Sequence, residues 1–598
     1  MPDHKADTDA IARQGQETAA NMVEIASLSA KIWEIYLEKH KQDRSETPDP
    51  LNLGPVITDM MQAFLENPQE MADSALQLWQ GQAEIWQHAM AKMLGADHAA
   101  DLPEIPEGGK RFAHKDWSEN AVFEYLKQTY LLTSGWMQDT VEHVDGFSGP
   151  EQKKAAFYTR LFSESMNPAN FFALNPEVLE ATANSNGENL VRGLHMMLED
   201  MERGKGELLI RQTDMDAFKV GRDMAVTPGK VIWQNNILQL IQYAPSTDMV
   251  YSKPLLFIPP WINKYYVLDL NPQKSLMKYL VGQGYTVFMI SWVNPDAAQK
   301  DETWDTYLQA VSDAMDVCLV ETGQKKLHLG SYCIGGTLTG TLLAKLGKTG
   351  DKRVASATFF TALMDFVDAG DLQVFVDDKT IAMVDAQMED GFLPAQTMAS
   401  AFNMLRSSDL IWGYIVNNYM LGKDPFPFDL LYWNSDSTAM PAKVHHFYLE
   451  TFYTQNAFST GNLVVQDTPI LVSDIKVPVY HVATKEDHIA PAGSVYIGAK
   501  MMENADVRFV LTGSGHVAGV VNPPAKDKYQ YWTNKDISAK TLPEWLDAAS
   551  ETKGSWWPDW DGWLKKRSGK KIAKRPPGKV NGCIEDAPGS FVKKRFDA

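Results

Sequence analysis

Cysteine is scarce: Cys318, Cys333 and Cys583 are the only three in 598 residues. The odd count and the absence of zinc-like spacing exclude a disulfide framework and a cysteine zinc site. They point to a reducing compartment, where a free thiol survives. Long apolar runs are missing as well. No stretch of about 18 apolar residues is present to cross a bilayer, and the polar opening MPDHKADTDAIARQGQ lacks the apolar core of a signal peptide. Basic residues are outnumbered, 56 Lys and Arg against 76 Asp and Glu, for a formal net charge of −20. That excludes a general nucleic-acid binder, because phosphate attraction needs a basic face. Together these absences predict a cytoplasmic protein. What the chain has in quantity is apolar and aromatic mass, with 44% hydrophobic residues and 17 Trp. At this length two or more folding units are expected.

Residues 1 to about 210 read as all-helical without a chemical motif, with 1–20 expected to lack order. DRSETPDPLNLGP (43–55) breaks the helical pattern, and PEIPEGG (103–109) reads as a loop. In Met71–Leu94 the residues Leu78, Trp79, Ile85, Trp86, Met90, Met93 and Leu94 fall near helical spacing. Such a face packs on the rest of the protein or meets a hydrophobic surface or partner helix. Asn175-Pro176 has the form of a helix cap followed by a first-turn proline.

The pattern changes after Gly206. Val231–Tyr243, following the turn Pro228-Gly229, alternates in its second part and fits antiparallel strand pairing. Near-continuous apolar runs follow at Pro254–Ile258, Thr286–Ser291, Lys326–Gly330 and Ala355–Leu363, separated by helical patterns. Two more come at Val477–Val482 and Val507–Leu511. Buried strands alternating with helices signify an α/β fold with a mainly parallel sheet. The long aromatic-rich interval before the late strands predicts a cap or lid subdomain at about 366–472, within a catalytic domain spanning 211–598. A Trp-rich helix at Ser555–Leu564 precedes a basic segment, 565–579, with eight Lys or Arg and no acids. That segment is expected to be a solvated tail or a weak contact for an anionic surface.

Chemistry centres on KKLHLGSYCIGGTLTGTLLAKL (325–346). A strand ends in a turn rich in small residues, and Cys333 stands at the nucleophile position of an elbow otherwise written G-x-S-x-G, with Ser331 in the first place. The α/β-hydrolase order of nucleophile, acid and histidine is then met in turn. Asp487 follows the strand VPVYHVAT and His516 follows VRFVLT. Glu486 is the fallback acid if the register shifts by one, and the adjoining His488 is expected to support the site. The elbow requires an oxyanion hole from two backbone N–H groups. One belongs to Ile334 and the other to Trp261 or Ile262, because Pro259 and Pro260 have no N–H to give. A thiolate attacking an acyl thioester exchanges one thioester for another, so the acyl group stays activated for an alcohol nucleophile. This favours acyl transfer over hydrolysis.

SYCIGG, PPWINKYYVLDL, SWVNPD, SSDLIWGYIVNNY, PFDLLYWNSD, KEDHIAP, GSGHVAGVVNPP and GSWWPDW, with WSENAVFEYLKQTYLL and NPANFFALNPEVL upstream, resemble the class I polyhydroxyalkanoate synthases in the same order over most of the chain. The resemblance implies an α/β-hydrolase fold and polymerisation of (R)-3-hydroxyacyl-CoA into a polyester with release of CoA. It makes Cys333 the nucleophile holding the growing chain, His516 the general base, and Asp487 the residue that orients or assists His516. It further implies a homodimer formed through the cap, residence on polymer granules with the N-terminal region serving granule or partner association, and no metal or redox cofactor. The competing expectation is a cysteine-variant hydrolase, a depolymerase or acyl-CoA thioesterase.

Overall fold

The computed structural model describes residues 3–40, 53–95 and 108–595. Most of the 43–55 break and of the 103–109 loop lies outside them. Two compact units emerge, one of residues 1–214 with 401–426, the other of 215–400 with 427–597. Of the segment 366–472, residues 401–426 thus group with the first unit and the remainder with the second.

The first unit is helical: α1 (Asp3–His40), α2 (Leu53–Glu66), α3 (Pro68–Met93), α4 (Ala121–His143), α5 (Pro150–Ser165), α6 (Pro176–Asn184) and α7 (Glu188–Arg203). The helix α1 overturns the expectation of no order in residues 1–20. Ala, Gln, Glu and Arg there are strong helix formers without a proline after Pro2, so propensity outweighs the lack of an apolar stripe. The Asn175 side chain accepts from the N–H groups of Glu177 and Val178 with Pro176 in the first turn, which caps α6 as its sequence indicates. Helix α7 packs on a π-helical stretch, Ile415–Met420. Gly193 is needed there, since a Cβ would stand 1.9 Å from the Tyr419 carbonyl oxygen. The Tyr419 hydroxyl donates to Asp200 at 2.7 Å.

The second unit is built on an eleven-stranded sheet. Its strands are β1 (Gly229–Gln234), β2 (Leu238–Tyr243), β3 (Leu255–Ile258), β4 (Val287–Trp292), β5 (Leu327–Tyr332), β6 (Val354–Phe360), β7 (Val479–Thr484), β8 (Val507–Thr512), β9 (Gln530–Thr533), β10 (Ser550–Lys553) and β11 (Glu585–Asp586). They run in the order β10-β9-β8-β7-β6-β5-β3-β4-β2-β1-β11. From β8 through β4 all pairings are parallel, and every flanking pairing is antiparallel. The stretch 231–243, expected to pair antiparallel, forms the hairpin of β1 and β2. Asn235 accepts from the N–H groups of Ile237 and Leu238 and turns the chain. Alternate residues of β3 face opposite cores, Leu256 and Ile258 on one side and Leu255 and Phe257 on the other.

Helices α8 (Leu276–Gln283), α9 (Trp304–Thr322), α10 (Ile334–Thr349) and α11 (Ala492–Met501) follow strands as the alternation requires, and α12 (Trp557–Lys565) closes the Trp-rich stretch. The basic segment after it is no solvated tail. Lys571–Ala573 pairs as a strand with Met249–Tyr251, Arg567 reaches Asp506 and lies over Trp563, and Lys574 pairs with Asp248. Backbone pairing and scattered acids supply the partners that the local sequence lacks. Among the described residues no helix is long and apolar enough to cross a membrane.

Candidate active site

Three loops leave the same edge of the parallel sheet, the edge where open α/β folds place their sites. The first is the elbow between β5 and α10. Cys333 occupies φ 52° and ψ −131°, a left-handed strained position, and its N–H donates to the Phe360 carbonyl at the end of β6. The two glycines after it are demanded by space. A Cβ on Gly335 would lie 2.6 Å from the carbonyl oxygens of both Ile258 and Pro259, and one on Gly336 would lie 2.3 Å from the Ala362 Cβ. Ser331 is accommodated because its buried hydroxyl donates to the Thr358 carbonyl. Ile334 begins α10, so its N–H has no acceptor within the helix and lies at the positive end of the helix dipole.

The other two loops follow neighbouring strands, with Thr484 of β7 in register with Thr512 of β8. They are tied together by the Lys485 N–H to the Thr512 carbonyl and the Glu486 N–H to the Ser514 carbonyl. Asp487 points inward and accepts from Thr484 Oγ1 and from the N–H groups of Ile489 and Ala490, each at 2.9 Å. Its fourth partner is His516 Nδ1, at 2.7 Å. Asp487, and not Glu486, is thereby the carboxylate that meets His516, while the Glu486 backbone N–H ties the two loops. His488 also contributes backbone: its carbonyl accepts from the Asp371 N–H.

Electrostatics follow from these contacts. Burial alone would lower His516, but the charges of Asp487 and Cys333, with the hydrogen bond to Asp487, outweigh it and raise the imidazolium to about 10. Burial would raise Asp487, and His516 with the two backbone N–H groups holds it below the usual carboxylate range instead. The structure therefore hydrogen-bonds His516 to Asp487 and sets Cys333 within electrostatic reach of the same imidazole. The arrangement can hold a thiolate against an imidazolium, with the acid fixing the ring.

Several residues that serve the site carry no local motif. The Tyr332 ring stacks on His516 at 5.3 Å, and its hydroxyl donates to the His516 carbonyl at 3.0 Å. The indole N–H groups of Trp556 and Trp557 hold the carbonyls of Gly519 and Val520, fixing the histidine loop from below. Trp261 is buried against Trp292, Trp304 and Tyr307. The π-helical stretch Tyr448–Thr454 brings two buried tyrosines near the thiol. Burial, then Cys333, push the Tyr453 hydroxyl up, and burial, Tyr453 and Cys333 do the same to Tyr448. The aromatic density of the stretch is the one trace of this in the sequence. Among the described residues no group of three His, Cys, Asp or Glu could hold a metal ion.

A mainly parallel sheet with an elbow strand and two later loops at one edge defines an α/β-hydrolase-fold protein, and residues 253–523 match that family's model, alpha/beta hydrolase fold. Residues 108–280 match the model described as poly-beta-hydroxybutyrate polymerase (PhaC) N-terminus. The chain is 43% identical over 590 residues to the poly(3-hydroxyalkanoate) polymerase subunit PhaC of Rhizobium meliloti, covering 98% of this chain and 96% of that one. It is 44% identical over 583 residues to the protein of the same name from Rhizobium etli, covering 96% and 91%. It is 40% identical over 539 residues to that of Cupriavidus necator, covering 88% and 89%. The chain belongs to the poly(3-hydroxyalkanoate) polymerase family.

Proposed function

We propose that this acyltransferase polymerises (R)-3-hydroxyacyl-CoA into a polyester through a thioester on Cys333. The Cys333 thiolate attacks the substrate carbonyl, the bond from that carbon to the CoA sulfur breaks, and the His516 imidazolium gives its proton to the leaving thiolate. Neutral His516 then takes the proton from the 3-hydroxyl of an acyl group, and the alkoxide attacks a Cys333-bound acyl carbon. A C–O ester bond forms as the C–S bond breaks, and the chain grows. Asp487 keeps Nδ1 protonated so that Nε2 faces the reacting atoms. The observation that carries this reading is the buried Asp487–His516 hydrogen bond, at 2.7 Å, whose imidazole interacts electrostatically with a cysteine on a strained elbow.

Family relatives named poly(3-hydroxyalkanoate) polymerase support the substrate class. The reading includes a cytoplasmic homodimer on granules of its own product. Exposed Leu76, Trp79, Trp86 and Met93 on α3 support an apolar contact of that kind. Incubation with 3-hydroxybutyryl-CoA and longer homologues, following free thiol and insoluble polymer, tests the proposal. The native chain yields both and Cys333→Ala neither. Free hydroxy acid without polymer would instead make the protein a hydrolase.

A further inference from the structure

The loop after β3 is gripped by its carbonyls. Trp292 Nε1 donates to the Pro259 carbonyl at 2.9 Å. The Thr438 hydroxyl lies 2.8 Å from the Trp261 carbonyl oxygen and 2.6 Å from that of Ile262. Trp433 Nε1 donates to the Lys264 carbonyl at 2.7 Å. The same segment, Trp433–Ala439, carries Asp436, which is buried and pairs with the Lys264 ammonium at 2.6 Å while accepting from the Tyr266 hydroxyl at 2.9 Å. Asn294 completes the grip by accepting from the Ala439 N–H at 3.0 Å.

A trans peptide is planar, and its N–H points opposite its C=O. With the Trp261 carbonyl turned toward Thr438, the Ile262 N–H is turned away from it. No group among the described residues accepts from that N–H. The start of this loop also abuts the elbow, since Gly335 lies against the Ile258 and Pro259 carbonyl oxygens. An oxyanion hole needs N–H groups fixed before the charge develops, because reorientation during the reaction would cancel their benefit.

We infer that Thr438 is a positioning residue for the oxyanion hole: by holding the Trp261 and Ile262 carbonyls it aims the Ile262 N–H to act with that of Ile334. This rests on the acyl-transfer reading of Cys333. Thr438 touches neither thiol nor substrate, and it acts through the orientation of two peptide planes.

The two functions of the site can be separated on the full-length protein. Acylation by 3-hydroxybutyryl-CoA passes through a tetrahedral oxyanion, whereas alkylation of Cys333 by iodoacetamide does not. Thr438→Val should slow first-turnover CoA release about 10- to 100-fold with KM little changed. The rate and pH profile of alkylation should stay those of the native protein, and Thr438→Ser should recover most of the loss. Native CoA release in Thr438→Val, or a parallel fall in alkylation, overturns the inference. If Thr438→Val does not fold, Thr438→Cys, which keeps the size but donates weakly, is read by the same outcomes. If the native protein releases no CoA, or Cys333→Ala releases it equally, the parent reading has failed rather than this one.

Discussion

The two units treat tryptophan differently, for the helical unit buries Trp117 yet leaves three others exposed. In the helical unit Trp33, Trp79 and Trp86 are 62%, 73% and 55% exposed. In the catalytic unit Trp304, Trp545, Trp556, Trp557 and Trp560 are buried, and several donate their indole N–H to a named acceptor. A buried indole contributes apolar area and also fixes backbone through its one donor. An exposed indole does neither for the fold, and its cost in apolar exposure is met only when something outside covers it. The catalytic unit thus uses its aromatics to hold loops still, while the helical unit presents some of its own outward.

The sharpest way to test this division is to remove a reacting group from the rigid unit. His516→Gln should lower CoA release about 10⁴-fold, measured as free thiol at saturating substrate, while exposed positions of the helical unit leave first-turnover chemistry untouched. Next in size is Trp560→Ala. It empties a fully buried site and orphans the Thr358 hydroxyl, so urea unfolding should show a loss of about 3–5 kcal/mol. An intermediate effect depends on pH. His516 is raised from its ordinary 6.5 to about 10, so its charge stabilises the fold fully below pH 6.5, and this is lost as pH rises through 10. Asp487 is lowered from 3.8, so its contribution is present above that value and lost as pH falls through its folded one. The urea-midpoint advantage of the native chain over Asp487→Asn should therefore be widest between about pH 4 and 6.5 and shrink toward pH 10. Smallest for stability are Trp79→Ala and Trp86→Ala, within about 0.5 kcal/mol. In sedimentation with polyester particles the pair should nonetheless weaken binding, and unchanged binding would remove the outward-facing role.

Legibility in the sequence follows the same division. The parallel strands could be read because burial on both faces makes each a short apolar run, as in Leu255–Ile258 and Val479–Thr484. Cys333, Asp487 and His516 could be nominated because each stands directly after such a strand or at its turn. The flanking strands could not. Ser550–Lys553 is polar and exposed throughout, and Glu585–Asp586 is two acids long. They are strands through their partners alone. The same holds for Tyr332 over His516 and for Trp556 and Trp557 under its loop. Each is a contact between positions 37 to 184 apart, and no local periodicity encodes it. Residues 401–426 read as part of one insertion, yet Gly193 and Asp200 of α7 supply the fit for Tyr419.

The two glycines after Cys333 carry a consequence for how this chain can change. The atoms a Cβ at Gly335 would strike are backbone carbonyl oxygens, which no rotamer change can move aside. Variation at that turn is closed to gradual adjustment, because even alanine displaces the strand-end loop that abuts the elbow. A library randomised across 335 and 336 would return misfolded chains, whereas Tyr448 and Tyr453 near the same sulfur belong to side-chain packing that neighbours can refill. Diversity in this protein's chemistry has to enter from the aromatic stretch and not from the elbow.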